Sequence, residues 1–360
     1  MRFAAAYRVL EEAIAARAFP GCAFGVLAGG EVVLQDALGR FTYEEDAEAV
    51  TPQTAYDIAS ITKVAATTAA AMLLVQRWRL NLDTPLSVYL PAFVQGGDSA
   101  DMARQVTLRH LLAHNSGLPG YVELFRTFTT PSDLLSACLR LPVQAEPGTR
   151  AEYSDPGFIL LGKALEVFTG EPLEGWVKRE VFAPLGLTAT GFCPAPEVRS
   201  SIPPTEEDTT FRHRRIQGEV QDENAWVLGG VAGHAGLFSN VGNLLRFSKE
   251  ILKARGANGD PATKSRLFDR TTVEIFAQRQ SPAGSSRAVG WDTPSEHSSS
   301  GRYFSPYSIG HLGFSGCSLW MDLEAGIAVV LLTNRTWPDR SCQLIRQVRP
   351  AFHDAVHEAL

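Results

Sequence analysis

The chain has 360 residues, 45% of them hydrophobic and 20% charged, with a formal net charge of −6. That length suffices for two lobes, or for one large domain carrying an insertion, and the composition is that of a globular enzyme. The acidic balance, with no basic run, excludes a nucleic acid or an anionic membrane surface as the natural partner.

Near the N-terminus, Phe3, Tyr7, Leu10 and Ile14 recur at helical spacing, while Arg8, Glu11 and Glu12 interrupt any apolar core. This predicts an amphipathic helix of the fold and no secretory signal. As given, the chain reads as cytoplasmic; a leader removed beforehand would make it periplasmic. No stretch is expected to span a membrane. Residues 21–27 and 31–38 predict two strands of a hairpin around Ala28-Gly29-Gly30.

A turn at Thr51-Pro52-Gln53-Thr54 leads to Ser60-Ile61-Thr62-Lys63. A serine and a lysine three apart share one helix face, one turn from each other. The run 64–75 is rich in Ala, Leu and Met and free of Gly and Pro, so it predicts a buried helix with Ser60 at its start. There an amine stands ready for the hydroxyl proton, and the free N–H groups and positive dipole end favour an oxyanion.

From residue 80 to 192, Pro and Gly punctuate short helical segments at 107–113, 131–140, 156–169 and 173–182. This predicts a mostly helical lobe, 80–192, inserted into a discontinuous α/β sheet domain of 1–79 and 193–360. Residues 199–218 are polar and are expected to form a surface loop. Gly-rich 229–239 implies close backbone approach. A helix over 241–252, a mobile loop over 281–301 and strands at 307–310, 317–322 and 326–333 follow. A last helix, 340–359, is expected beside the first.

Two further motifs bear chemistry. Glu152-Tyr153-Ser154-Asp155 precedes a helix starting at Pro156, with Asp155 as the expected N-cap. His311-Leu312-Gly313-Phe314-Ser315-Gly316 lies at a strand edge. His110 and His114 are four apart, a spacing that suits zinc on a helix, but no third ligand stands near; His114 is read as fixing a loop. His234 is read as a packed histidine, Asp222-Glu223 as a solvated turn and Ser154 as a supporting neighbour. The five cysteines, Cys22, Cys138, Cys193, Cys317 and Cys342, show no ligand or redox spacing and are read as free thiols. No metal or other cofactor is expected.

In order, Ser60-x-x-Lys63, Tyr153-x-Asp155 and the His311-x-Gly313 strand resemble the serine β-lactamase and penicillin-binding protein superfamily. The closest likeness is to class C-like serine hydrolases of the DD-peptidase and esterase type. The likeness extends to Leu80-Asn81-Leu82-Asp83-Thr84-Pro85-Leu86, to His114-Asn115-Ser116-Gly117-Leu118-Pro119, to Pro184-Leu185-Gly186-Leu187 and to Gly236-Leu237-Phe238-Ser239. It implies an α+β fold, an antiparallel sheet flanked by terminal helices, with the site between sheet and helical lobe. It also implies Ser60 as acylated nucleophile, and Lys63 and Tyr153 as its proton shuttle. The N–H groups of Ser60 and Phe314 would form the oxyanion hole, and His311 would face Tyr153 and the substrate's polar end.

A free lysine or tyrosine has a pKa of roughly 10, so a base at neutral pH needs a shift of about 3 units. Burial of Lys63, the closeness of Lys63 to Tyr153 and a protonated His311 are expected to supply it, with either group as base. Two departures matter. Asp155 stands where the family commonly has Asn, and Leu312 replaces a hydroxyl residue. A carboxylate accepts but cannot donate, so both changes favour small esters, amides or peptides over penicillins. Asp155 can instead accept from Lys63, which would keep that lysine charged and favour Tyr153 as base. The expected function is acyl-enzyme hydrolysis; the alternatives are a non-catalytic acyl-binding protein and a zinc hydrolase.

Overall fold

The computed structural model describes residues 2–94, 99–256, 265–296 and 298–360. The strands in chain order are β1 (Gly21–Ala28), β2 (Glu31–Gly39), β3 (Tyr56–Asp57), β4 (Gly191–Phe192), β5 (Glu206–Asp208), β6 (Arg214–Ile216), β7 (Leu237–Ser239), β8 (Ser308–Leu312), β9 (Ser318–Asp322) and β10 (Ile327–Thr333). Five of them form one antiparallel sheet in the order β2-β1-β10-β9-β8. The β1–β2 hairpin closes through Gly29 and Gly30, at φ +59° and +80°. Two successive positive φ values are what a two-residue hairpin turn of this twist demands.

Strand alternation sorts the core into two layers. Phe24, Val26, Trp320, Val329 and Leu331 face the terminal helices Ala4–Ala15 and Ile345–Ala359, which meet there through Leu10, Phe352 and Val356. Ala23, Leu27, Leu319, Val330 and Leu332 face the helix Val241–Arg255 and the helix that follows Ser60. Gly25 allows that approach: a Cβ there would stand 2.6 Å from Val241 Cγ1 and 2.8 Å from Leu245 Cδ1. The fold is thus α+β, an antiparallel sheet flanked by terminal helices, with helices Leu108–Leu112, Pro131–Leu139, Asp155–Thr169 and Leu173–Val177 clustered in the segment between β3 and β4.

Several local expectations are corrected. The Ser60 helix starts as a 3₁₀ turn (Ala59–Ile61), widens to a π-helical stretch (Lys63–Thr68) and becomes α-helical only over Ala69–Trp78. π-Helical insertions of this kind concentrate at functional sites. Residues 59–77 are long and apolar enough to cross a bilayer by length and composition, contrary to the reading above, but here they are mostly buried inside the protein. Residues 199–218 are no simple surface loop: β5 and β6 pair there, and Glu206 and Asp208 are buried against Arg340 and Arg212. The segment 281–301, of which residue 297 lies outside the described residues, is packed at its centre and exposed at 281, 283–284 and 295–296. Ala288, Val289 and Trp291 are buried, and Gly290 N–H donates to Leu112 O at 3.0 Å. Its apolar centre outweighs the Ser/Pro flanks. Strand β8 runs to Leu312 rather than stopping at Gly310, so it includes His311, and the last helix begins at Ile345.

Candidate active site

Strand β3 delivers the chain to a kink. Ala59 has φ +47°, in the left-handed region, which costs a residue with a side chain about 1–2 kcal/mol. Asp57 holds the kink: its Oδ1 accepts from Ala59 N at 2.8 Å and its Oδ2 from Gln221 N at 2.7 Å. Burial pushes the Asp57 carboxyl up to about 6, against the lowering effect of those two bonds. The kink leaves Ser60 half-buried above a fully buried Lys63.

Lys63 Nζ donates to Ser60 Oγ at 3.0 Å, to Asp155 Oδ1 at 2.6 Å and to His234 O at 3.1 Å. Three acceptors around one nitrogen are the signature of an ammonium. The Tyr153 phenol joins them: Nζ lies 4.8 Å from its ring centroid, and Lys63 and Ser60 both act on its hydroxyl to lower its pKa. The four side chains thus meet. Their electrostatics follow the Asp155 alternative for Lys63 and reverse the expected lowering of Tyr153. Burial pulls Lys63 down, but the Asp155 carboxylate and Tyr153 more than offset it, and Lys63 titrates above its ordinary value. Burial raises Tyr153, Lys63 pulls it back only in part, and Asp155 adds to the rise. The resting site holds a charged ammonium and a neutral phenol.

Tyr153 is positioned by its neighbours. The His114 ring lies between Tyr153 and Phe158, at centroid distances of 4.5 and 4.9 Å, and its Nδ1 accepts from Ser154 N at 2.9 Å. Ser154 Oγ accepts from Gly157 N at 3.1 Å and donates to Pro119 O at 2.7 Å. Ser154, not Asp155, is therefore the N-cap of Asp155–Thr169. Asp155, one residue further, is left free to reach Lys63. His110 serves a different task, capping Leu108–Leu112 together with Thr107. Among the described residues no three His, Cys, Asp or Glu side chains converge as metal ligands.

His311 is buried on β8, its ring 5.9 Å from that of Tyr153. Its Nδ1 donates to Leu312 O at 2.8 Å. Burial, then the charges of Lys63 and Arg287, hold it far below the usual histidine range. It is neutral, and so it cannot act as the cation expected from the sequence. Leu312 is half-buried beside it. Gly313 lets the following turn close on the chain just before Ser60, since a Cβ there would stand 2.5 Å from Ile58 O. Ser315 Oγ donates to Asp57 O at 2.8 Å. The Phe314 ring is exposed between Arg335 and Arg340, whose guanidinium carbons lie 4.4 and 5.5 Å from its centroid. Among the described residues, neither Ser60 N–H nor Phe314 N–H is committed to another group.

Sequence reasoning missed Asp57, whose only signal was a carboxylate amid the apolar Tyr56, Ile58 and Ala59. It also misread Asp222-Glu223. Asp222 Oδ1 pairs with His234 Nε2 at 2.9 Å and accepts from Ala225 N at 2.8 Å. Burial alone would raise Asp222, but His234 and these bonds lower it to about 2. Glu223 is buried and accepts from Arg340 at 3.0 Å. A two-residue acidic pattern cannot reveal partners 12 and 117 positions away.

The Beta-lactamase family model matches residues 7–351. N-acetylmuramyl-L-alanine amidase of Bacillus subtilis (strain 168) is 29% identical over 358 residues, covering 91% of this chain and 80% of that protein. Among solved structures, EstCE1, described as a hydrolase with promiscuous acyltransferase activity, superposes with a TM-score of 0.77 at 23% identity over 98% of both chains. A class C β-lactamase from Rhodobacter sphaeroides gives 0.72 at 22% identity, over 98% of this chain and 99% of that one. With a family match running through nearly the whole polypeptide and the same fold in these neighbours, the chain belongs to the Beta-lactamase family of serine hydrolases.

Proposed function

We propose that the protein hydrolyses small esters or amides through an acyl-enzyme on Ser60. The observation that carries this reading is the contact of Lys63 Nζ with both Ser60 Oγ and Asp155, with the Tyr153 hydroxyl in reach of both. In this mechanism Lys63 stays an ammonium, because Asp155 holds it charged. The base is then Tyr153 in its phenolate form, a minor species at neutral pH. Ser60 Oγ attacks the carbonyl carbon while its proton passes to the phenolate. The carbonyl π electrons move to oxygen, and the oxyanion is met by the N–H groups of Ser60 and Phe314. The oxyanion collapses, the bond to the leaving group breaks, and that group takes the Tyr153 proton. Water then repeats the sequence on the acyl-enzyme, releasing the acid and restoring Ser60.

The cleft would lie between the helical lobe 80–192 and the sheet part formed by 1–79 and 193–360. Asp155 cannot donate to an amide carbonyl, and Leu312 offers no hydroxyl for a carboxylate. Esters and simple amides therefore suit the site better than penicillins. The names of similar proteins, an amidase and a hydrolase with promiscuous acyltransferase activity, support acyl transfer from such substrates. The test is mass spectrometry after incubation with a fluorophosphonate or a β-lactam. A single adduct on Ser60 is expected; labelling elsewhere, or a stoichiometric burst of product without turnover, would overturn the reading. Initial rates with nitrocefin, short-chain p-nitrophenyl esters and D-alanyl peptides then rank the substrates, with esters expected first.

A further inference from the structure

The turn after β8 is gripped by residues that the reaction above does not use. Arg349, on the C-terminal helix, is only 6% exposed. Its Nη2 donates to Gly313 O at 2.7 Å and to Cys317 O at 2.9 Å, and its Nε to Gly316 O at 3.1 Å. Arg335 Nε donates to Phe314 O at 2.8 Å, and Thr333 Oγ1 to Ser315 O at 3.0 Å. Every carbonyl from Gly313 to Cys317 is thereby engaged. Among the described residues Arg349 makes no ion pair with a carboxylate. A guanidinium buried without a counter-charge is costly, and burial draws this one down to about 10. Mere attachment of a helix to a sheet does not require a charge; an apolar side chain would do it.

Gly313 C=O and Phe314 N–H belong to one planar trans amide, so they point to opposite sides. A cation held at the oxygen therefore fixes the direction of the N–H and polarises it, and hydrogen bonds in such chains strengthen one another. We infer that Arg349 is a positioning residue of the oxyanion hole, acting through the Gly313–Phe314 amide on the anion formed when Ser60 attacks. This rests on the acyl-enzyme reading given above.

The experiment compares an activated ester with its thiono analogue, in which sulfur replaces the carbonyl oxygen and accepts hydrogen bonds poorly. Both are assayed on the same preparations of wild type, Arg349→Lys and Arg349→Met. Because a single donor to an oxyanion is worth about 10²–10³ in kcat, loss of its support in Arg349→Met is expected to cut kcat for the oxo ester about 30-fold, with Lys intermediate. The thiono ester should fall much less, so the oxo/thiono ratio should drop about tenfold, with KM nearly unchanged. The ratio does not depend on the folded fraction of a sample, and if Arg349→Met yields no protein, Arg349→Lys decides. A ratio equal to wild type in the variants, with both esters slowed alike, would overturn the assignment. Ser60→Ala is run in parallel. If it retains turnover, the acyl-enzyme reading fails and takes this one with it; if it is inactive while the ratio holds, only the role of Arg349 fails.

Discussion

The two halves of the site are built in opposite ways. The corner formed by Ser60, Lys63, Tyr153 and Asp155 consists of side chains that touch one another, and its charges face inward on a single ammonium. The turn from His311 to Cys317 presents backbone, and its charges stand behind it on Arg335 and Arg349. In the proposed reaction the first half works through groups whose protonation changes. The second offers fixed dipoles that need no titration at all, which is why a neutral His311 is no loss there. Damage to the corner should therefore change the pH dependence, while damage to the turn should change only the height of the profile.

The largest effect expected is at Ser60. Ser60→Ala removes the nucleophile and should lower p-nitrophenyl ester hydrolysis by about 10⁴-fold or more; turnover near wild type would remove the corner from the reaction. Next come Lys63→Ala and Tyr153→Phe, each expected to cost about 10²–10⁴-fold in acylation, the range for loss of acid–base catalysis. The double variant should lose little beyond the worse single one, because the two act as one unit. A multiplicative loss in presteady-state acylation rates would separate them.

Asp155→Asn is subtler. In wild type the raised pKa of Tyr153 makes the rate climb with pH above neutrality, as phenolate becomes available. Asp155 contributes to that rise, so its neutralisation should move the rising limb toward lower pH. A kcat/KM profile between pH 6 and 10 reads the direction; a shift toward higher pH would contradict phenolate as base.

The smallest effect concerns stability. His114 belongs to the corner, His311 to the turn and His353 to the C-terminal helix. Burial first, then nearby cations, holds each below its ordinary value, His353 at about 3. Each is neutral when folded but takes a proton on unfolding below about 6.5, so its contribution is complete above that pH and lost as pH falls. Asp57, raised to about 6, runs the other way: the folded state binds its proton first, which favours folding as pH drops from about 6 toward 3.9. For these four groups, three protons against one leave a net uptake of about two, which contributes a slope of about 2–3 kcal/mol per pH unit near pH 5. Urea unfolding at pH 5 and 7 measures it, and His114→Gln should lower the slope by one proton's worth, about 1.4 kcal/mol per pH unit.

Much of this was legible in the sequence, for a physical reason. Ser60 and Lys63 face each other because a helix puts residues three apart on one side, and Tyr153 and Asp155 sit at a helix start that Pro156 announces, although the sequence places the cap at Asp155 rather than Ser154. Short-range geometry of this kind is written in the spacing. The sheet strands and terminal helices followed from periodicity. What escaped was set at long range. Asp57 meets Gln221 across 164 positions and Arg340 meets Glu206 across 134. The pKa directions of Tyr153 and His311 escaped as well, since they depend first on how deeply each is buried. Arg349 did leave a trace: it lies in the apolar stripe of Ile345, Val348, Phe352 and Val356, where a guanidinium has no reason to be unless something polar waits beneath it.

The left-handed backbone of Ala59 carries one more consequence. Side chains branched at Cβ are excluded from that conformation far more strongly than alanine is, and position 59 is buried as well. The residue before the nucleophile is thus closed to variation, and a randomised codon there under selection for turnover should return alanine, glycine or asparagine and no valine, isoleucine or threonine. Directed evolution of acyl preference would have to work from side chains that do not hold the kink, such as the exposed ring of Phe314.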